Sequence, residues 1–192
     1  MDDNKKKIAF IINPISGTQG KEHILKWLDE KLDKNRYMPE VIYTEWAGHA
    51  VEIAARKAKE EVFAVVAIGG DGTINEIARS LVHTKTALGI IPCGSGNGLA
   101  RHLQIPMEAK KAIDIINEGL IDIIDYGKIN DVPFFCTCGV GFDAFVSLQF
   151  SKAGRRGPLI YLEKTLLESL KYKPETYELE MDGSTSRYKA FL

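Results

Sequence analysis

The sequence predicts an α/β fold, with an open parallel sheet flanked by helices over residues 1–121 and the start of an antiparallel β domain over residues 122–192. Apolar runs of strand length alternate with amphipathic segments of helical spacing through the first part of the chain. Parallel strands need helical crossovers of this kind. Beyond Asp122 the pattern changes to short strand-like segments and turns, which indicates a second, incomplete unit.

The elements of the first domain follow from two periodicities. Continuous apolar runs predict strands buried on both faces at residues 7–13, 62–68 and 87–91. A shorter strand is predicted between the first two of these, at residues 41–44. Apolar residues at helical spacing predict helices over residues 21–36, 48–61, 74–82, 98–103 and 108–117. Gly119 is the expected C-terminal cap of the last of these helices.

The second domain is predicted to be mainly β. Strands are expected at residues 123–129, 133–138, 176–181 and 187–192, with a turn at Asp182-Gly183 and a helix opened by Pro158. Because the sequence stops in mid-strand, we expect a truncated product or a partner strand from elsewhere. An exposed edge at residues 187–192 would favour a homodimer. Residues 159–170, with lysines directly after them, could lie against a membrane surface.

The composition of the chain excludes several classes of protein. The 192 residues are 45% hydrophobic and 27% charged, with a net charge of −1, which excludes a disordered chain and leaves no overall field for holding nucleic acid. No apolar run approaches a membrane span, and no signal peptide is recognisable. We therefore expect a cytoplasmic protein with no nucleic-acid partner. Cys136 and Cys138 are expected on one face of a strand, as small buried hydrophobic residues. No residues have the spacing of metal ligands, so we assign none.

Residues 69–73 (GGDGT) follow a buried strand directly and are the centre of the predicted site. The glycines allow bare backbone N–H groups to approach an anion, and a helix beginning near Gly72 would direct its positive end to the same point. Asp71 would repel phosphate unless it engages Mg²⁺ or accepts the proton of an attacking hydroxyl. The alternative is a tight turn in which Asp71 caps its own helix.

Residues 92–97 (PCGSGN) repeat this arrangement after the next strand. The two loops would meet at one edge of the sheet, where open α/β folds bind ligands. Neither loop contains lysine, so positive charge must come from a metal or from elsewhere. Arg155, in a glycine-flanked Arg-Arg pair, could supply it or could belong to a solvated loop. Trp46, at a strand end, could line a nucleotide pocket.

The motifs Asn13-Pro14 with Ser16-Gly17, GGDGT with Asn75-Glu76, and PCGSGN resemble the diacylglycerol kinase catalytic domain superfamily, which includes sphingosine and ceramide kinases. The resemblance extends over residues 7–143, and residues 139–144 (GVGFDA) are similar to a motif that the family carries just past the domain boundary. It implies ATP- and Mg²⁺-dependent transfer of the γ-phosphate to a hydroxyl of a diacylglycerol- or sphingoid-type lipid, with peripheral membrane contact.

By the same resemblance, Asp71 carries the catalytic or metal-linked role and Asp143 faces the lipid. The implied nucleotide contacts are Asn13, Ser16, Gly17, Thr44, Gly69, Gly70, Gly72, Thr73, Asn75, Glu76, Gly94, Ser95, Gly96, Asn97 and Arg155.

Two departures from the family pattern leave alternatives open. The second loop reads Gly94-Ser95-Gly96-Asn97, which looks more like the sphingoid-kinase version than the bacterial diacylglycerol one, so the acceptor lipid is not decided. Family members also continue into a β-sandwich that closes the cleft, and without it we expect nucleotide binding with poor or absent turnover. An NAD kinase, which shares GGDGT, and a non-catalytic nucleotide-binding module are the competing interpretations.

Overall fold

The computed structural model of the chain describes residues 5–16, 21–152 and 172–191. It divides into two compact units, with the boundary between Cys136 and Thr137. The described helices and strands of the first unit are β1 (Lys6–Ile12), α1 (Glu22–Lys31), β2 (Tyr37–Tyr43), α2 (His49–Lys59), β3 (Ala64–Gly69), α3 (Asp71–Leu81), β4 (Ala87–Pro92), α4 (Gly98–His102), α5 (Ala109–Glu118), β5 (Gly127–Ile129) and β6 (Val132–Phe134).

The first four strands form a parallel sheet, as the sequence predicted, and their order in the sheet is β2-β1-β3-β4. The register pairs Ile8 with Ala64 and Ala64 with Ala87. The central strand β3 is buried along its whole length, and β1 is buried from Ile8 to Ile12, which explains why both contain unbroken apolar runs.

The sheet is covered on both faces because alternate residues of a strand point to opposite sides. Ile8, Phe10 and Ile12 of β1 belong to a buried cluster with α1 and α5. Ala9 and Ile11 belong to a second cluster with α2 and α3. The result is a three-layer arrangement in which helices restrain the sheet from both sides and leave its strand ends to the loops.

The edge strand β2 differs most from its prediction. It begins at Tyr37 and includes Pro39, whereas the sequence predicted a strand only over residues 41–44 and a helix to residue 36. β2 pairs with β1 alone, and an edge strand tolerates a proline because one side of it needs no ladder donor. Lys57 of α2 fastens this edge, since its buried ammonium lies 2.7 Å from the carboxylates of Glu40 and Glu60.

Residues 120–136 depart from the expected β pattern. The predicted strand over 123–129 is reduced to β5, and the side chain of Ile123 is fully exposed. The expectation of buried cysteines is wrong, because Cys136 and Cys138 are both exposed and lie beyond the end of β6. A short apolar run does not reveal whether a partner strand pairs with it, so the sequence could not separate these cases.

The second unit contains α6 (Phe142–Lys152), β7 (Glu175–Met181) and β8 (Ser184–Ala190). β7 and β8 form an antiparallel hairpin through the predicted Asp182-Gly183 turn, where both residues have positive φ. β8 starts three residues earlier than predicted, and one of its edges is paired with β7. The hydroxyls of Tyr172 and Tyr177 lie 3.2 Å apart, and this hydrogen bond raises the pKa of Tyr177 to about 12.

Candidate functional site

The loops that follow β1, β2, β3 and β4 leave the sheet at one edge, because parallel strands end on the same side. The chain moves from β1 outward to β2, and from β3 outward to β4 on the other side. The switch point of the fold therefore lies between the ends of β1 and β3, which is where open α/β sheets form a ligand crevice.

Asn13 connects the two strands at this switch point. Its backbone N–H donates to the carbonyl of Ile68 at 3.2 Å, and its side-chain amide donates to the Thr73 hydroxyl at 3.1 Å. Thr73 is buried in the first turn of α3. The predicted residues Asn13 and Thr73 are thus brought together, and the end of β1 is held against the beginning of α3.

The loop after β1 contains a buried cation that the sequence reasoning missed. Ser16 donates its hydroxyl to the Asn13 carbonyl at 2.9 Å, and the Lys21 ammonium donates to the Ser16 carbonyl at 2.5 Å. Lys21 is only 8% exposed. Burial raises the pKa of the Cys93 thiol, and the nearby charge of Lys21 partly opposes that rise. Lys21 therefore brings positive charge toward the strand ends, although neither glycine loop contains a lysine.

The two glycine loops pack directly against each other. A methyl group built on Gly94 would lie 2.7 Å from the Cα of Gly70, and one on Gly70 would lie 3.1 Å from the Cα of Gly94. Both partners are backbone atoms that cannot rotate away. Glycine is required at these two positions so that the loops can touch, a reason that operates without any ligand.

Gly72 has a different environment. It lies in the first turn of α3, which begins at Asp71, and a methyl group built on it would meet nothing within 4 Å. Packing therefore does not require glycine here. The first N–H groups of a helix have no intrahelical partner, and together with the helix dipole they attract anions. A glycine at this point leaves these N–H groups open to close approach.

The Asp71 carboxylate reaches across to the second loop. One oxygen accepts the Asn97 N–H at 2.8 Å and the other accepts the Gly98 N–H at 2.6 Å. Asp71 therefore caps the beginning of α4, whereas the alternative drawn from the sequence had it cap its own helix. Each carboxylate oxygen keeps a further lone pair, and the residue is exposed. The two hydrogen bonds orient the Asp71 carboxylate and leave it lone pairs with which it can bind a ligand.

The second loop is held by its own side chains. Asn97 is buried with φ of 55°, and its amide makes two reciprocal 2.8 Å hydrogen bonds with the backbone of Gly94. Ser95 is exposed, and Arg101 donates to the Gly96 carbonyl at 2.8 Å. Asn97 thus shapes the loop, and Arg101 is a second cation that the sequence reasoning missed because it lies in the following helix.

Four other predicted residues lie in the loop after β2, in α3 and in the second unit. Thr44 is buried and donates its N–H to Ile12 at 2.9 Å, next to the end of β1, and Asn75 and Glu76 lie half-buried in α3. Asp143 is exposed in α6 of the second unit. Gly17, Arg155 and the apolar segment 159–170 lie outside the described residues.

The described part of the chain has two further properties that concern metal and membrane binding. Over residues 5–16, 21–152 and 172–191, no three His, Cys, Asp or Glu side chains converge closely enough to hold a metal ion by themselves. Among the same residues, no helix is long and apolar enough to cross a membrane.

Comparisons with known proteins agree on one family. A family model described as the diacylglycerol kinase catalytic domain matches residues 7–129. The diacylglycerol kinase of Bacillus subtilis is 33% identical over 186 residues, which cover 93% of this chain and 60% of that protein. The diacylglycerol kinase of Staphylococcus saprophyticus is 30% identical over 192 residues and is covered to 63% of its length.

A solved structure of a diacylglycerol kinase from Bacillus anthracis shares the fold, with a TM-score of 0.71 at 24% identity. It matches 97% of this chain and 62% of its own length. The present chain therefore spans about three fifths of the length of the relatives that it matches.

Proposed function

Because the chain belongs to the diacylglycerol kinase catalytic domain family, we propose that it provides the nucleotide-binding part of an ATP- and Mg²⁺-dependent lipid kinase. The enzyme would transfer the γ-phosphate of ATP to a hydroxyl of a diacylglycerol- or sphingoid-type lipid. The observation that carries the proposal is the open amino terminus of α3 at Gly72, beside an oriented carboxylate at Asp71.

The phosphates of ATP would bind at the start of α3. The free N–H groups and the helix dipole favour negative charge there, and Gly72 leaves space for it. The Gly70–Gly94 contact supports the cradle from the side of β4. Lys21 and Arg101 supply positive charge near the two ends of the cradle.

The residues fit a magnesium ion that arrives with its nucleotide. Mg²⁺ is commonly held by one or two carboxylates together with phosphate oxygens and water, without a cage made of protein alone. Asp71 is an exposed carboxylate with remaining lone pairs, and it would hold such an ion. When bound, the ion would neutralise charge that develops on the phosphates.

In the proposed reaction, the lipid hydroxyl oxygen forms a bond to the γ-phosphorus while the bond to the β-phosphate oxygen breaks and ADP leaves. The hydroxyl proton needs an acceptor, and Asp71 is positioned to take it if it is not a metal ligand. Two backbone N–H donors keep its carboxylate in one orientation. Positioning of this kind accounts for much of catalysis in phosphoryl transfer.

The test is transfer of radiolabelled phosphate from Mg-ATP to mixed micelles that contain either diacylglycerol or a sphingoid base. We expect a low yield of labelled lipid with the chain as given, because it spans about three fifths of the length of its relatives, and no labelled lipid with Asp71→Asn. Asp114→Asn is the matched control, because Asp114 is a surface carboxylate paired with Lys31 on α1. Nucleotide binding without labelled lipid would instead support a non-catalytic binding module.

The same variant separates the two roles of Asp71. As a metal ligand, its replacement by Asn weakens Mg-ATP binding but does not weaken binding of metal-free ATP, because a carboxylate that repels bare phosphate is lost. As a proton acceptor, its replacement weakens neither affinity and removes only transfer. Thermal unfolding of the variant shows whether the two glycine loops stay folded. This control is needed because the side-chain amide oxygen of Asn can replace only one of the two carboxylate oxygens that accept hydrogen bonds from backbone N–H groups.

Two further parts of the proposal concern partners. A lipid acceptor requires contact with a membrane surface, and flotation with anionic liposomes at low salt would reveal it; a chain that stays at the bottom of the gradient contradicts this part. The outer edge of β8 could pair with a second copy. Light scattering that gives a monomer mass over a wide concentration range would contradict a homodimer.

A further inference from the structure

An exposed aromatic pair lies on the loop that follows β2. The indole of Trp46 is 53% exposed, and it stacks on the imidazole of His49 with ring centroids 3.8 Å apart and an interplanar angle of 8°. Two rings this close and this nearly parallel form a flat surface. The indole of Trp46 therefore packs on His49 and leaves about half of its surface in water.

The backbone of this loop holds the pair in place. The His49 N–H donates to the Trp46 carbonyl at 3.3 Å, and the Glu45 N–H donates to Nδ1 of His49 at 3.1 Å. Since Nδ1 accepts a hydrogen bond, the neutral ring carries its proton on the other nitrogen. Thr44, one residue earlier than Glu45, is buried against the end of β1. The pair is therefore anchored to the sheet.

The pair lies on the β2 side of the phosphate cradle, opposite β4. On the side of β4 the two glycine loops are in backbone contact, so a bulky group cannot pass between them. On the other side come β1 and then β2. Neighbouring strands are about 4.8 Å apart, so the end of β2 lies on the order of 10 Å from the end of β3 across the sheet edge.

Few aromatic side chains lie beyond the strand ends at this edge, where Tyr43, 45% exposed, is the last residue of β2. Among the described loop residues 13–16, 44–48, 70 and 93–97, together with the first residue of each following helix, Trp46 and His49 are the aromatic ones. Nucleobases bind by stacking on aromatic rings, because every base has a flat π surface. A nucleotide whose phosphates sit at α3 would need such a surface on the side of β2.

We infer that Trp46, backed by His49, is the stacking surface for the base of the nucleotide. This inference rests on the proposed function, because it concerns the other end of the same ligand. Trp46 acts by binding the base and takes no part in phosphoryl transfer. It makes the site selective for a nucleoside triphosphate over a bare polyphosphate.

The experiment compares two ligands that differ in the base. Mg-ATP carries phosphates and a base, whereas magnesium tripolyphosphate carries the phosphates alone. In Trp46→Ala we expect the affinity for Mg-ATP to fall about tenfold, toward the lower end of the loss measured when an aromatic ring that stacks a base is truncated, with no change for tripolyphosphate. Trp46→Phe, which keeps a ring, should stay within about twofold of the original chain.

A fluorescence measurement gives an independent readout. The chain has two tryptophans, and Trp27 lies in α1, where its ring centroid is 5.1 Å from the Lys110 ammonium of α5. In a Trp27→Phe background the emission comes from Trp46. Mg-ATP should change that emission, and tripolyphosphate should leave it unchanged.

The possible outcomes are distinct. Unchanged Mg-ATP affinity in Trp46→Ala overturns the inference and leaves the proposed function standing, and reduced liposome binding in that variant would then assign Trp46 to a membrane surface. An equal loss for both ligands also overturns it, because the substitution would have disturbed the phosphate cradle. If the original chain binds neither ligand, the proposed function fails together with the inference.

Discussion

Replacing Gly94 by alanine tests whether the two glycine loops touch as the structure shows. The new methyl group would lie 2.7 Å from the Cα of Gly70 and 2.8 Å from the side-chain oxygen of Asn97. The first contact is with a backbone atom, so it can be relieved only if the loop after β3 and the loop after β4 move apart. The φ angle of Gly94 is not positive, so alanine brings no dihedral penalty of its own.

The magnitude follows from these two contacts. Overpacking of a close contact costs about 1–3 kcal/mol. Displacing Asn97 also weakens its 2.8 Å hydrogen bond from the Gly94 N–H, which is worth about 1 kcal/mol. We expect the free energy of unfolding to fall by about 2–4 kcal/mol, which lowers the melting temperature by on the order of 10 °C in a chain of this size.

Gly72→Ala is the matched control, because a methyl group there meets nothing within 4 Å. Alanine in a helix is favoured over glycine by up to about 1 kcal/mol, so its stability should stay equal or rise. Its affinity for Mg-ATP should nevertheless fall by about tenfold or more, since the methyl group occupies the space over the helix N–H groups.

Urea unfolding followed by circular dichroism measures the stability of both variants, and isothermal titration calorimetry measures nucleotide affinity. An unfolding midpoint of Gly94→Ala equal to that of the original chain would refute the loop contact. Undiminished binding of Mg-ATP by Gly72→Ala would refute close approach of phosphate at the start of α3.

Three further predictions rest on individual contacts. Thr73→Val removes the acceptor of the Asn13 amide and should cost about 1–2 kcal/mol in urea unfolding, whereas an unchanged midpoint would show that this bond contributes nothing. Burial disfavours the Lys57 ammonium, but its two glutamate partners outweigh burial and raise its pKa above 10.5. The ion pairs of Lys57 therefore stabilise the fold fully below pH 10.5, and this stabilisation is lost as the pH rises through the higher pKa of the folded state. Lys57→Met should abolish that alkaline loss in the urea midpoint, and an identical pH profile would contradict the assignment. Tyr172→Phe removes the hydrogen bond that raises the pKa of Tyr177 to about 12, so ultraviolet titration should show Tyr177 ionising at lower pH, and an unmoved titration curve would count against the contact.

Much of the first unit could be predicted from local pattern. Strands β1 and β3 are buried on both faces and therefore appear as unbroken apolar runs, and the helices between them carry apolar stripes. The positions of the glycine loops follow from the same pattern, because each comes directly after a strand. β2 and residues 123–126 were predicted less well, since an edge strand and an unpaired apolar segment look alike without knowledge of the neighbour.

The sequence by itself determined the order of the elements in the first unit, the parallel sheet and the family, because these depend on residue patterns that can be read along the chain. Only the tertiary structure decided what individual site residues do. Gly70 and Gly94 are 24 residues apart yet touch, Asp71 caps a helix that starts 27 positions later, and Lys21 is buried beside the loop after β1. Such contacts join positions brought together by the register of the sheet, and no local pattern encodes which of the nearby groups will meet.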